Sequence, residues 1–487
     1  MTVNYKLSTI FISGLLLLLG SCKKLIEIDA PVDTITTGEV FENNKQAEWA
    51  IAGVYSRMIN GNSATEGPEW SIFSAGLATM AGSLSADDVT VPGMNSTPSQ
   101  YVLSNNALNP TNASIPEKIW QSAYKTIYDA NGVIEGIEAS ESTSLTDSAR
   151  KQITAEARAI RAFSYFYLVN FFGDVPLVLT IDHSKTKNMT RTPKEKVYEQ
   201  IVKDLQYAQD HLANDFRIGN NERIRINKWF AEGFLARVYL YLGRYQDAVN
   251  SATEVINQTN LFKLESEPNN VFLKNNTEAI WQLQQNSIKN DRGVPEGRMF
   301  MPISANNTPL YPLSEELLNA FEPTDKRLDQ WTAYAIEAGT GNHMYYAYKY
   351  KVVRETGVPS EYCTVLRLAE MYLIRAEAQI HLSPSNVAVA VGDLNLLRQR
   401  ANVDDLPATL TPEEVKEAVA AERQRELFAE WAHRWFDLKR TGKASEVLPV
   451  LLYKQPWLGD YQLLYPIPVK EIEKNNALTQ NPEYNSR

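Results

Sequence analysis

"NKWFAEGFLARVYLYLGRYQDAVNSATEVI", residues 227–256, holds two helical patterns that meet at Leu242-Gly243. Tyr245 and Ala248 follow the glycine, and small alanines recur where two helices would approach each other. A helix pair that turns at Leu-Gly is the unit of a tetratricopeptide-like repeat. Such a unit buries its apolar face only by stacking on neighbours. The stretch therefore predicts a mainly α fold, and the flanking sequence has to supply more helices.

It does. Upstream, "AEARAIRAFSYFYLVNFFGDVPLV" (155–178) is apolar nearly all round from Ala162 to Phe172, which marks a helix buried on most faces. Gly173 suits its C-terminal cap, and Pro176 prevents continuation. In "TPKEKVYEQIVKDLQYAQDHL" (192–212), Val197, Ile201, Leu205, Ala208 and Leu212 recur at helical spacing, and Thr192-Pro193 suits an N-cap and first turn. Downstream, "VLRLAEMYLIRAEAQIHL" precedes "NVAVAVGDLNLLRQRA". The segment 412–442 reads as a further helix or helix pair that ends on Lys439, Arg440 and the capping Gly442. These patterns predict a superhelix of about four helix pairs, running from about 149 to 442.

Two stretches break the pattern. Residues 60–115 are rich in Gly, Ser, Thr, Asn and Pro, and residues 265–362 mix short apolar pieces, prolines and aromatics. Insertions this long in a compact protein are usually functional. They are expected to form loops and short strands on the helical scaffold and to supply a ligand face.

The chain has 487 residues and a formal net charge of −10. An acidic balance argues against a nucleic-acid partner, whose phosphates require a basic face. Near the start, "GLLLLLGSCKK" (14–24) has an apolar run too short to span a bilayer. It fits a secretory leader, with Lys6 as its positive region. Its small-residue box ending in Cys22 resembles a bacterial lipobox, which makes Cys22 the expected lipidation site. The expected division is a leader at 1–21, a lipidated leash at 22–40 and one domain at 41–487, with halves at about 41–260 and 261–487. Cys363 then has no intramolecular partner and reads as a buried thiol.

No catalytic constellation stands out. The five histidines follow no zinc-ligand spacing, and phosphate-binding or nucleophile-elbow motifs are absent. Neither a metal nor a cofactor is expected, and the chain reads as a binder and not an enzyme. Asp87-Asp88 in "SADDV" admits three readings: hydrogen bonding to sugar hydroxyls, capping of a following segment, and part of a calcium site.

In order along the chain, "SCKKLIEIDAP", "FENNKQAEWAIAGVYSRM", "LSADDV", the helices above, "ERQRELFAEWAHRWFDLKRTG" and "YPIPVKEIEKN…LTQNPEY" resemble the SusD/RagB family of Bacteroidetes outer-membrane lipoproteins. The resemblance spans nearly the whole chain. It implies a lid-like lipoprotein that captures an oligosaccharide and delivers it to a SusC-like TonB-dependent transporter. A minority of the family, the RagB-like members, serve oligopeptide uptake. A purely structural interaction protein is the third reading.

A pyranose presents a patch of C–H groups that lies on an aromatic ring, so placement decides which aromatics matter. Trp120, Trp229, Trp431 and Trp435 sit in helical patterns, and Trp281 alternates like a strand residue; all five read as core. Trp49 sits in the first amphipathic helix, and Trp457 in a C-terminal loop suited to packing or transporter contact. The ligand-binding candidates are Trp70, Asp87, Asp88, Tyr101, Phe300, Tyr311, Trp331 and Tyr345, with Tyr346 beside the last. Asn290, Asp291 and Arg292 join them from the turn-like "SIKNDRGVPEGRMF".

Overall fold

The computed structural model describes residues 40–61, 71–92, 98–286, 293–302, 307–337, 339–355 and 357–484. Cys22, the leader and the leash up to residue 39 lie outside the described residues, as do Trp70, Asn290, Asp291 and Arg292.

The first half contains α1 (Asn44–Asn60), α2 (Ala78–Ser85), α3 (Pro98–Ser104), α4 (Ser114–Ala139), α5 (Asp147–Phe172), α6 (Lys194–His211), α7 (Lys228–Tyr241) and α8 (Tyr245–Ile256). The quoted stretch folds as read, for α7 and α8 meet at Gly243, whose φ of +67° is a left-handed turn that favours glycine. Asn227 caps α7 by accepting from the backbone N–H groups of Trp229 and Phe230.

An inserted region follows, with β1 (Ala279–Leu283), α9 (Pro295–Phe300), α10 (Glu315–Ala320), α11 (Lys326–Trp331), β2 (Thr332–Ile336), β3 (His343–Ala347) and β4 (Cys363–Arg367). β1 pairs antiparallel with β4, Leu283 opposite Cys363. β2 and β3 form a second antiparallel pair, Tyr334 opposite Tyr345. The chain then returns to helices: α12 (Leu368–Leu382), α13 (Val387–Arg400), α14 (Pro412–Leu427) and α15 (His433–Arg440).

The helices stack in succession: α4 on α5, α5 on α6, α6 on α7, α7 on α8. The next in the stack is α12, which packs on α8 across the insertion, and α13 and α14 close the far end. The eight amount to the expected four pairs, and the stack begins one helix earlier than 149, at Ser114. The five tryptophans read as core are all buried.

One local reading changes, and one open alternative resolves as a helix pair. α6 starts at Lys194, and its first backbone N–H is capped by Asp174 at 2.9 Å while Thr192 pairs with Val175. The segment 412–442 is two helices, broken where Ala429, Trp431 and Ala432 take positive φ. Packing imposes that break. A Cβ on Gly82 of α2 would lie 2.2 Å from the Ala432 Cβ, and the Trp431 N–H donates to Thr79 at 3.0 Å.

The insertion is anchored by buried charge. Arg367 donates to Glu278 and Glu430, and Arg327 to Asp325, Glu422 and Glu426, all of them buried. Removing one partner of such a pair leaves an uncompensated buried charge.

Candidate functional site

A cleft of about 480 Å³ opens between α1, the 218–225 loop, the end of β1 and residues 357–359. That size suits a small ligand. One wall is α1, which presents Ala52, Tyr55, Ser56 and Asn60. The opposite side is the chain leaving β1: Gln284, Gln285 and Asn286. Ile218 and Val358 supply exposed apolar rims.

Each wall is fixed from beneath. Tyr55 is buried, and its hydroxyl donates to Glu156 at 2.6 Å and accepts from the Ile226 N–H at 3.1 Å. Burial, then the Glu156 charge, pushes that hydroxyl well above the usual tyrosine range, so it stays protonated. Arg225 is the one charged side chain among the described lining residues. Glu156 takes two of its N–H groups at 2.7 Å each, and Glu48 takes another at 2.9 Å. Among the described lining residues the cleft therefore carries no cation in search of an anion.

The lining is instead rich in carboxamides: Asn60, Asn220, Gln284, Gln285 and Asn286. A carboxamide both donates and accepts, which matches a hydroxyl-bearing ligand. Gln285 is buried and donates to the Glu361 carbonyl at 3.0 Å, while its side-chain oxygen has no partner among the described residues. An unmet buried acceptor costs about 1–3 kcal/mol. Asn60 accepts from the Asn286 N–H at 2.7 Å and joins the two walls.

Most sequence-selected candidates lie elsewhere. Asp87 is buried and holds Arg434 through two bonds, at 2.6 and 2.7 Å. Asp88 is also buried, and burial first, then the Asp87 charge, raises its carboxyl to about 7. Neither lines the cleft; their backbone carbonyls accept from Ser314, which ties 87–88 to the start of α10. Phe300 and Tyr311 pack together in the core, ring centres 6.0 Å apart.

Trp331 is the sharpest correction. It is fully buried, its indole N–H donates to the Pro268 carbonyl at 2.9 Å, and the Lys349 ammonium sits 4.5 Å from its ring centre. No ring face is left for a sugar. Tyr101 is half-buried in α3. Tyr345 and Tyr346 are half-buried on β3, where Tyr345 lies opposite the exposed Tyr334, itself stacked on His343 at 3.9 Å. That hairpin is aromatic but is not part of the cleft lining.

Sequence reasoning missed Asn60, Arg225 and Gln284 to Asn286. A signal existed for the last three: an amide run directly after the strand-like "AIWQL".

Cys363 is a buried thiol that donates to Glu296 at 3.5 Å. Among the described residues no helix is long and apolar enough to cross a membrane, and no group of three or more His, Cys, Asp or Glu could hold a metal ion.

A family model described as the SusD family matches residues 236–484. The chain belongs to the SusD family. A second model, described as "Starch-binding associating with outer membrane", matches residues 76–240 of this SusD-family chain. SusD-like protein P2 of Formosa agariphila is 27% identical over 530 residues, covering 99% of this chain and 100% of the relative. A SusD superfamily protein from Bacteroides vulgatus has the same fold, with a TM-score of 0.78 at 20% identity over 91% of this chain and 99% of that one. A solved laminarin-binding SusD-like protein is 26% identical, with a TM-score of 0.73, over 91% of this chain and 100% of its own.

Proposed function

We propose that this SusD-family protein is an outer-membrane lipoprotein that binds a neutral oligosaccharide in the α1 cleft and delivers it to a SusC-like TonB-dependent transporter. The observation that carries the reading is the cleft's chemistry. It is amide-rich, and the one charged side chain of its described lining, Arg225, is fully neutralised. Neutral hydroxyls satisfy such a lining; among the described lining residues phosphates and carboxylates find no free cation. The similarity to a laminarin-binding protein and to a starch-binding family supports a glucan. The reading is of a binder: the described lining offers no carboxylate pair to flank a glycosidic bond.

In this reading Cys22 carries the acyl chains, each buried methylene adding about 0.8 kcal/mol of membrane affinity. Residues 22–40 serve as the leash that lets the domain swing over the transporter, facing the exterior. Trp70 and Asn290 to Arg292 remain proposed ligand contacts.

An array of neutral and acidic glycans and of short peptides, probed with the purified full-length chain, tests the reading. Binding confined to neutral oligosaccharides is expected. Binding confined to peptides would replace the glycan assignment with oligopeptide capture. Mass spectrometry of membrane-derived protein is expected to find Cys22 acylated at the mature N-terminus.

A further inference from the structure

We infer that Trp49 is a ligand contact, an aromatic platform that lengthens the cleft along α1. The inference rests on the oligosaccharide reading above and adds a subsite to it. Exposed single hydrophobics are ordinary on any surface, so exposure alone argues nothing. Position does. At 100° per residue, Trp49, Ala52, Gly53, Ser56 and Asn60 form one stripe on α1, facing away from buried Ile51, Val54 and Met58. Three members of that stripe, Ala52, Ser56 and Asn60, already line the cleft. With a rise of about 1.5 Å per residue, Trp49 lies about 10 Å along the axis from Ser56 and about 16 Å from Asn60.

The surface between is open. Ala52 and Gly53 are exposed, and a Cβ added at Gly53 would meet nothing within 4 Å. Trp49 itself is 61% exposed. The Lys45 ammonium stands 4.9 Å from its ring centre and takes one ring face. That contact orients the indole and leaves its other face for the C–H patch of a pyranose. Glu48, the neighbouring residue, ties this turn of α1 to Arg225 on the cleft wall. The amides of Gln284, Gln285 and Asn286 line the opposite end of the cleft. A chain of several sugars seated at the Asn60 end covers the stripe to Trp49, about 16 Å along the axis, and a shorter one covers less of it.

Length dependence is therefore the test. Full-length protein in detergent is titrated calorimetrically with laminari-, malto-, cello- and xylo-oligosaccharides of three and six units. For a hexasaccharide that binds, Trp49→Ala should weaken affinity about ten-fold, the scale of one lost aromatic contact. The matching trisaccharide should change by less than about two-fold, and Trp49→Phe should restore most of the hexasaccharide affinity. Equal affinities in wild type and Trp49→Ala, or equal loss for both lengths, overturn the inference while leaving the cleft intact. Failure of the wild type to bind any of these glycans overturns the cleft reading and the inference with it. The exposed ring makes a folding defect in Trp49→Ala unexpected, and thermal unfolding of both variants checks this.

Discussion

The backbone N–H of Asn286 donates to the side-chain oxygen of Asn60 across 2.7 Å, joining two segments 226 residues apart in the chain. The Asn60 amide also donates to the Ser56 hydroxyl at 3.3 Å, so one side chain sets the last turn of α1 and the exit from β1. Asn60→Ala removes both bonds and lets the walls part. It should cost about 1 kcal/mol of stability, the usual net worth of such a bond. Oligosaccharide affinity should fall about ten-fold, because the ligand then has to order the walls itself. Asn60→Asp keeps an acceptor for Asn286 and should retain the stability. Calorimetric titration and denaturant unfolding of both variants separate the two effects, and equal affinities for wild type and Asn60→Ala would remove Asn60 from the site.

Gln285 offers the opposite signature. Its open oxygen is a liability without ligand, so a shape-matched apolar replacement should be tolerated by the fold. Gln285→Met loses the bond to the Glu361 carbonyl but also the unmet acceptor, and should unfold within about 1 kcal/mol of wild type. Ligand affinity should drop by about 1–2 kcal/mol, because the amide-rich wall loses one polar side chain. A large stability loss with unchanged affinity would mean that Gln285 is a packing residue.

Trp331 should behave as the mirror image. Fully buried against Phe272, Phe428 and Lys349, it is a core side chain. Trp331→Ala should cost about 3–5 kcal/mol by cavity formation. Trp331→Phe should cost less and leave oligosaccharide affinity at the wild-type value. Reduced affinity in a fully folded Trp331→Phe protein would return this residue to the ligand face.

The contrast between Trp331 and the helix pair at Gly243 explains what the sequence could tell. The pair is legible because helical burial repeats every three to four residues, and the turn demands a residue content with positive φ. Trp331 lies in a stretch without periodicity, and irregular local pattern says nothing about burial. Its surroundings are charged residues, Lys349, Arg367 and Arg400, which read singly as surface. Only the tertiary structure pairs them with Glu278, Glu426 and Glu430 and lets them cover a ring. The cleft was illegible for a related reason. Its lining comes from separate segments, and no spacing in the sequence links Asn60 to Asn286. Asp87 stood out as a motif, yet its partner Arg434 lies 347 residues away.

Glu296 gives the fold a pH dependence that can be read in isolation. It is buried, and its carboxyl accepts from the Cys363 thiol at 3.5 Å. Burial raises its carboxyl from 4.5 to about 7. Between those values the folded chain holds a proton that the unfolded chain gives up, so this group's contribution to stability falls as pH rises and levels off above about 7. The shift corresponds to at most about 3 kcal/mol. Glu296→Gln keeps the shape and cannot ionise. It should match wild type near pH 4.5 and be the more stable protein at pH 8. Other titrating groups are common to both proteins and cancel in the difference. Urea midpoints for the two proteins at pH 5 and pH 8 measure it, and a gap that stays constant between those pH values would mean that the Glu296 carboxyl does not titrate in this range.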